Sequence, residues 1–259
     1  MSVEIKGLIK NYDSTEVFGG LNLTVKANKV TVIMGASGSG KTTLLNCIAG
    51  LTPYDGEISG VNGASFVFQE DRLVPFMSVY ENLDFTLQKS VYKAERKEKI
   101  LAMIKSVGLE DKINFIPDEL SGGQKKRVSL ARAFLSDSNL ILMDEPLNSL
   151  DLGLKIKIAQ LIETLTEKYN KTVVFVTHDI DEALTIADDI VVIGKCGTIY
   201  SHEFISSAKG RNTLSDECNA VKGELLKLMY CTRTVAKKSE KNAFSVISDD
   251  EWNPNGIKF

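Results

Sequence analysis

Residues 31–43 read TVIMGASGSGKTT, and this stretch decides the fold. The apolar run Thr31–Met34 leads straight into a glycine-rich loop, and Thr42–Ile48 continues as a predicted helix. The loop fits the pattern G-x-x-x-x-G-K-[ST], in which glycine lets the main chain wrap around phosphate while the loop amides and the helix dipole attract negative charge. The stretch therefore predicts a nucleoside triphosphate site between a strand and a helix. Its candidate residues are Gly35, Ala36, Ser37, Gly38, Ser39, Gly40, Lys41, Thr42 and Thr43.

Four side chains in and beyond this loop have predicted chemical roles. Lys41 should reach the β- and γ-phosphates with its ammonium group, and Thr42 should bind Mg²⁺ through its hydroxyl. A pair of carboxylates, Asp144 and Glu145, follows the apolar run Leu140–Met143. At the carboxyl edge of a parallel sheet, Asp144 would hold Mg²⁺ directly or through water, and Glu145 would polarise the attacking water as general base.

The rest of the pattern predicts an α/β protein with a doubly wound parallel sheet. Leu140–Met143 and Thr172–Thr177 are short apolar runs without alternation, as expected for parallel strands that are covered on both faces, and a helical stripe lies between them. Residues 1–34 alternate between polar and apolar types and predict short antiparallel strands. Residues 77–135 are rich in Lys and Glu and carry helical stripes, which predicts a helical subdomain inserted into the core.

The sequence LSGGQ at Leu120–Gln124 predicts a second anion-binding helix end. Ser121 supplies a hydroxyl, Gly122 and Gly123 leave main-chain amides open, and a helix follows to Phe134. A chain that already has one phosphate loop gains little from a second one. The arrangement makes sense if Ser121 and Gly123 close over a nucleotide that is bound by another copy of the chain.

With these residues in view, the chain closely resembles the ATP-binding cassette (ABC) ATPases, whose signature LSGGQ is followed by a pattern like QKKRVSLARAF at Gln124–Phe134. The resemblance covers about residues 1–225 and implies a P-loop NTPase core with an N-terminal antiparallel β subdomain and an inserted α-helical subdomain. It also implies ATP and Mg²⁺ as ligands, and a head-to-tail dimer with two ATP molecules between the cassettes. Residues 226–259 are predicted to be a polar tail.

The same resemblance assigns roles to four further positions. Gln69 in FVFQEDR matches the glutamine that contacts Mg²⁺ and the attacking water, and His178 in FVTHD matches the histidine that contacts the γ-phosphate. Asp151 ends a segment, SLD, that is similar to the D-loop, which links the two nucleotide sites of a dimer. Tyr12 matches the aromatic residue that stacks on adenine.

Two positions beside Asp151 depart from the family's pattern. Asn148 stands where many relatives carry Ser or Gly, and Ser149 stands where many carry Ala. Both replacements are small and polar, so we expect tuning of the D-loop and retention of activity.

Residues 69–83, QEDRLVPFMSVYENL, bear on what the ATPase drives. In the family, this region forms the groove that grips a helix of the membrane subunits. The sequence of this segment resembles that of the ATPases of importers for nitrate, sulfonates, taurine and related small molecules, although many of those have Trp where this chain has Phe76. An exporter, such as a lipoprotein-releasing system, stays an alternative because it shares every catalytic motif. A soluble ABC ATPase of the DNA-repair or translation type is disfavoured, since those usually carry coiled-coil insertions or two cassettes in one chain.

The composition of the chain limits the classes of partner that we expect it to bind. The formal net charge of −3 gives no basic surplus for nucleic acid. The four cysteines lack metal-ligand spacing, which favours reduced thiols. No window approaches a secretory signal or the ~20 apolar residues of a membrane span. We therefore expect any link with a membrane to run through a partner. The resemblance to importer ATPases implies a peripheral protein at the cytoplasmic face of the cell membrane, with integral permease subunits and an extracytoplasmic solute-binding protein as partners.

Overall fold

A computed structural model describes residues 2–87, 93–148, 150–194, 199–203 and 216–238. The strands are β1 (Val3–Tyr12), β2 (Thr15–Val25), β3 (Val30–Gly35), β4 (Asp55–Ser59), β5 (Ala64–Val67), β6 (Leu140–Asp144), β7 (Thr172–Val176), β8 (Asp189–Ile193) and β9 (Ile199–Glu203). The helices are α1 (Lys41–Ile48), α2 (Val79–Leu87), α3 (Lys93–Ser106), α4 (Gly122–Leu135), α5 (Leu152–Tyr169), α6 (Ile180–Ile186) and α7 (Asp216–Lys238).

The N-terminal region forms an antiparallel sheet in the order β2-β1-β4. Its strands alternate between buried and exposed residues, with Val3, Ile5 and Leu8 of β1 facing inward. One face of this sheet packs on the core while the other meets solvent, as a one-sided antiparallel sheet requires. The prediction of antiparallel strands at the N-terminus is thus confirmed for β1 and β2.

The second sheet follows the order β5-β6-β7-β3-β8-β9 within the described ranges. Its first five strands are parallel, and β9 pairs antiparallel with β8. Here residues 30–34 require a correction, because their alternation predicted an antiparallel strand and they form β3, which pairs in parallel with β7 and β8. The polar residue that creates the alternation, Thr31, is itself 1% exposed, so β3 is covered on both faces.

Hydrophobic residues cover both faces of the parallel sheet. Val32 and Met34 of β3 belong to the larger core, with α2–α6, whereas Ile33 belongs to the smaller core between the sheet, α1 and the antiparallel strands. Strand β6 divides in the same way, with Ile141 on one side and Leu142 on the other. The doubly wound α/β fold is confirmed, and the uninterrupted apolar runs follow from burial on both faces.

Three helices, α2, α3 and α4, lie between β5 and β6, where the sequence predicts the helical subdomain. The last described helix, α7, runs through residue 225, so the predicted boundary between cassette and tail falls within a helix. Its Leu225 is buried, and Leu228 and Met229 pack against the larger core. Among the described helices, none is long and apolar enough to cross a membrane.

Candidate active site

The strand order brings the predicted site residues to one edge of the parallel sheet. Strand β3 runs into the glycine loop, β6 ends at Asp144, and His178 follows β7 by two positions. The register aligns Val176 of β7 with both Ile33 of β3 and Asp144 of β6. Because carboxyl ends of parallel strands share an edge, the phosphate loop, the carboxylates and the histidine become neighbours.

The phosphate loop closes tightly against the antiparallel sheet. Gly40, the N-cap of α1, has φ 93°, and no side chain caps the helix there. A Cβ atom at Gly40 would lie 2.6 Å from Val17 Cγ1, so only glycine fits this position. Within the loop, Ser39 N donates to Ala36 O at 3.1 Å, while Ser37 and Gly38 are exposed. The loop is therefore a compact turn that leads directly into a helix end without a side-chain cap.

Lys41 points its ammonium group into this loop. Its Nζ donates to Gly35 O and Ala36 O, each at 3.0 Å. Burial lowers the pKa of Lys41, while the nearby charges of Glu145 and Asp144 oppose that shift. A cation is thus held inside the phosphate loop by hydrogen bonds to main-chain oxygens, contacts that a phosphate can replace.

Thr42 and Asp144 join the loop to the end of β6. The exposed Thr42 hydroxyl donates to Asp144 Oδ2 at 2.9 Å, across 102 residues of sequence. Burial raises the pKa of Asp144, and Glu145 raises it further, whereas the Thr42 hydrogen bond and Lys41 lower it. A hydroxyl and a carboxylate are hard oxygen donors of the kind that Mg²⁺ selects, so the pair fits this ion.

Glu145 is held through both carboxylate oxygens. Oε1 lies 3.1 Å from His178 Nδ1, and Oε2 accepts from Asn148 Nδ2 at 3.2 Å. Its main chain has φ 45°, a left-handed conformation that costs a non-glycine residue free energy, and its N–H donates to Val176 O. The strained backbone thus turns Glu145 out of β6 toward the histidine. Sequence analysis names Asn148 only as a departure from the family pattern and misses this contact.

A further network that sequence analysis misses anchors the segment around His178. Thr177 Oγ1 donates to Glu182 Oε2 at 2.6 Å, and Asp179 N donates to Thr177 Oγ1 at 3.0 Å. Asp179 caps α6, and Lys155 of α5 contacts both Asp179 and Glu182. The sequence does contain a pattern that indicates this network. Asp179 and Glu182 have the D-x-x-E spacing before an apolar run, which is typical of a helix start.

Gln69 reaches the same edge from β5, whose Val67 pairs with Met143. The residue is exposed, and its main-chain oxygen accepts a hydrogen bond from Lys126 of α4 at 3.0 Å. Sequence analysis also misses Lys126. The pattern that could have indicated Lys126 is its position on the buried stripe of α4, in line with Leu130 and Ala133.

The signature residues form a separate unit. Ser121 Oγ accepts from Gln124 N at 3.3 Å, and Gln124 Oε1 accepts from Ser121 N at 2.9 Å, so the helix end is closed by a capping box. A Cβ atom at Gly123 would lie 2.7 Å from Leu154 Cδ2, which explains glycine there, whereas Gly122 is open. Asp151 caps the helix that carries Leu154. These hydrogen bonds link signature residues to one another and none links them to the phosphate loop.

The last two predicted positions lie at the margins. Tyr12 ends β1, is 47% exposed, and has the Lys10 ammonium 4.5 Å from its ring centroid. Thr43 follows Thr42 in the first turn of α1 and is half-buried. Ser149, predicted to tune the D-loop, lies outside the described residues.

Comparison with known proteins identifies the family. The family model described as ABC transporter matches residues 18–148. The chain belongs to the ABC transporter ATPase family. This ABC cassette is 36% identical over 229 residues to the aliphatic sulfonates import ATP-binding protein SsuB 1 of Pseudomonas fluorescens, covering 88% of this chain and 86% of that protein. It is 38% identical over 244 residues to SsuB 1 of Shouchella clausii, covering 88% and 97%.

A solved structure agrees with this assignment. The cassette MJ0796, in a dimeric post-hydrolysis state bound to ADP and Pi, matches with a TM-score of 0.67 and 32% identity, covering 79% of this chain and 100% of that one. The predicted fold and family are confirmed, and so is the predicted activity. This ABC cassette binds and hydrolyses ATP.

Proposed function

We propose that this ABC cassette powers the import of a small solute through partner membrane subunits. The observation that supports ATP hydrolysis is that four side chains lie together at one edge of the parallel sheet: Lys41, Asp144, Glu145 and His178. What supports import is the relatives, which are named import ATP-binding proteins for aliphatic sulfonates and match over most of the chain. A solute of the nitrate, sulfonate or taurine type is therefore the proposed cargo.

The proposed mechanism assigns one task to each group at the edge. Lys41 leaves the carbonyls of the loop and neutralises the β- and γ-phosphates, helped by the open amides of α1. Glu145 accepts the proton of the attacking water, and His178, 3.1 Å away, contacts the γ-phosphate. Thr42, Asp144 and Gln69 would hold Mg²⁺, which when bound offsets phosphate charge.

We place the second nucleotide contact on another copy of the chain. The second contact would comprise Ser121, Gly122, Gly123 and Gln124, and the capping hydrogen bonds of Ser121 and Gln124 lie within the first turn of α4. A head-to-tail dimer would bring this end against the ATP on the opposite phosphate loop, with Asp151 beside it. The dimeric state of MJ0796 supports the arrangement.

The proposed contact with the membrane subunits is the loop before α2. Phe76 is 77% exposed, more than any other large apolar side chain in the part of the chain that the structure describes. Asn82, which is 1% exposed, holds the loop in shape, with Oδ1 accepting from Val74 N at 2.9 Å and Nδ2 donating to Met77 O at 2.9 Å. A buried amide that organises an exposed aromatic residue supports a docking role. The cassette would then sit at the cytoplasmic face of the membrane, and a solute-binding protein would deliver cargo outside.

The variant Glu145→Gln tests the proposed chemistry. It keeps the size of the side chain and should retain ATP binding, while hydrolysis falls by about 10²- to 10⁴-fold, the range for loss of a general base. The ATP-bound dimer should accumulate, which size-exclusion chromatography with and without ATP measures. Unchanged turnover would remove Glu145 as general base.

Affinity purification of the tagged chain from detergent-solubilised membranes tests import. Recovery of an integral permease, ideally with a solute-binding protein, is expected. Recovery of a permease that extrudes its cargo in proteoliposomes would replace import with export. Recovery of soluble partners alone would keep the ATPase and overturn transport.

A further inference from the structure

The segment Phe68–Arg72, which contains Gln69, has no regular secondary structure but is firmly attached. It follows β5 and includes a residue with left-handed backbone, Arg72, at φ 43°. Within the segment, the Arg72 guanidinium stacks on the Phe68 ring at 3.7 Å from the centroid. The segment thus has a defined shape of its own before any contact with α4 is considered.

Lys126 of α4 is the main attachment. The residue is 2% exposed, and its ammonium lies 3.2 Å from Phe68 O, 3.0 Å from Gln69 O and 2.7 Å from Asp71 Oδ1. The two main-chain carbonyls accept hydrogen bonds from the ammonium, and the Asp71 carboxylate pairs with its charge. Because a buried charge is tolerated only when it is paired and hydrogen-bonded, the contacts must stay together in the folded chain.

A second cation of α4 holds the far end of the same segment. Arg132 Nη1 donates to Arg72 O at 2.8 Å. Lys126 and Arg132 are separated by about 9 Å along the helix axis, which lets one helix grip both ends of a five-residue stretch. Two side chains from one helix therefore fix the carbonyl oxygens of Phe68, Gln69 and Arg72.

The helix that grips this segment begins at the signature. Lys126 lies five residues after Ser121, within the first two turns of α4. Gln69 belongs to the nucleotide site of its own chain, whereas Ser121 and Gly123 face the nucleotide of the other copy under the function proposed above. We propose that Lys126 is a positioning residue that, with Arg132, joins Phe68–Arg72 and the signature end of α4 into one rigid unit. Engagement of Ser121 by the partner's nucleotide thereby places Gln69 in the chain's own site.

This inference rests on the proposed head-to-tail dimer. It predicts an effect of replacing Lys126 that would not occur if the lysine only stabilised the fold. If Lys126 serves only to neutralise Asp71, its loss lowers stability and leaves the two segments responding together to ATP. If it is the link, its loss separates their responses while the fold and ATP affinity remain.

Hydrogen exchange with mass spectrometry measures both segments in the full chain. The parent is Glu145→Gln, which retains ATP, and exchange is followed with and without ATP and Mg²⁺ in peptides covering 68–72 and 121–126. In the parent, ATP should protect both segments with the same dependence on protein concentration. In Lys126→Met, protection of 121–126 should persist while that of 68–72 is lost. The exposed Lys97 of α3 provides the matched control, Lys97→Met, which should behave as the parent.

Two further variants keep the test decisive. Should Lys126→Met fail to fold, the double variant Lys126→Met with Asp71→Asn removes both charges and takes its place, and Arg132→Met tests the second contact. In the background with Glu145 intact, these variants should lower kcat by about 10- to 100-fold, the cost of a displaced catalytic group, with ATP affinity unchanged.

Joint protection of both segments in the folded Lys126 variants would overturn the proposal. If ATP does not protect 121–126 in the parent itself, the proposed dimer is wrong, and the proposal fails with it. This failure differs from the first because it occurs without any change at Lys126.

Discussion

Two glycine-rich helix ends of this cassette differ in how they are completed. At α1, the N-cap is Gly40, no side chain caps the helix, and Lys41 lies folded onto the loop carbonyls. At α4, Ser121 and Gln124 close a reciprocal capping box. Both ends carry the positive pole of a helix dipole. Of these two ends, only the α4 end has a side-chain cap.

The difference indicates separate tasks for the two ends. The α1 end concentrates a buried cation and open amides, and the raised pKa of Asp144 and the left-handed Glu145 beside it mark a site that gives up stability for function. At the α4 end the capping box satisfies the amides of Ser121 and Gln124, so the shape of this end is set before a nucleotide arrives on another copy. Four measurements test this contrast, beginning with the largest expected effect.

Removing the cation of α1 should break nucleotide binding. Lys41→Ala deletes the charge against the β- and γ-phosphates, and because charged hydrogen bonds contribute up to ~3 kcal/mol, ATP affinity should fall about 100-fold. Isothermal titration calorimetry measures this, with exposed Lys105→Ala as control. Normal ATP affinity in Lys41→Ala would contradict the assignment of the α1 end as the phosphate site.

Changing the cap of α4 should separate stability from function. Ser121→Ala removes the cap and should lower the free energy of unfolding by about 1 kcal/mol, whereas Ser121→Asp retains a good N-cap and should leave it unchanged. Urea unfolding measures both. Neither variant should alter ATP binding by the monomer.

Ser121→Asp should prevent formation of the dimer, although it leaves the stability of the monomer unchanged. Its carboxylate would repel the γ-phosphate of the partner's nucleotide, so Ser121→Asp in the Glu145→Gln background should fail to form the ATP-bound dimer. A stable dimer in that variant would remove Ser121 from the nucleotide interface.

The smallest effect concerns the pH dependence of stability. Since the folded state raises the pKa of Asp144, the folded chain keeps a proton that the unfolded chain releases above the ordinary value of ~3.9. Asp144 therefore destabilises the nucleotide-free protein increasingly as pH rises through the window between these two pKa values.

Asp144→Asn should raise the free energy of unfolding without nucleotide or Mg²⁺, and its advantage over the unchanged chain should grow with pH across that window. Urea unfolding at a series of pH values measures this, with exposed Asp118→Asn correcting for net charge. An advantage that shrinks as pH rises would contradict the sign.

Prediction from sequence succeeds here where the pattern is local. The glycine loop, the apolar run before Asp144 and the histidine after β7 each lie on contiguous residues, and the parallel topology then places them at one edge. The strand at residues 30–35 shows where the pattern misleads, because buried Thr31 imitates a solvent-facing position. Lys126 and Asn148 were missed as contacts because their partners, Gln69 and Glu145, are defined by packing and by a backbone turn.

The sequence by itself determined the family and the ATPase activity, and it predicted the residues that carry the chemistry, because phosphate binding and hydrolysis require particular side chains at short, recognisable spacings. Only the tertiary structure decided that Lys41 rests on its own loop, that Glu145 bridges His178 and Asn148, and that α4 grips the segment around Gln69. The physical reason is that these contacts join residues far apart in the chain, and a hydrogen bond depends on distance and direction that spacing along the sequence does not encode.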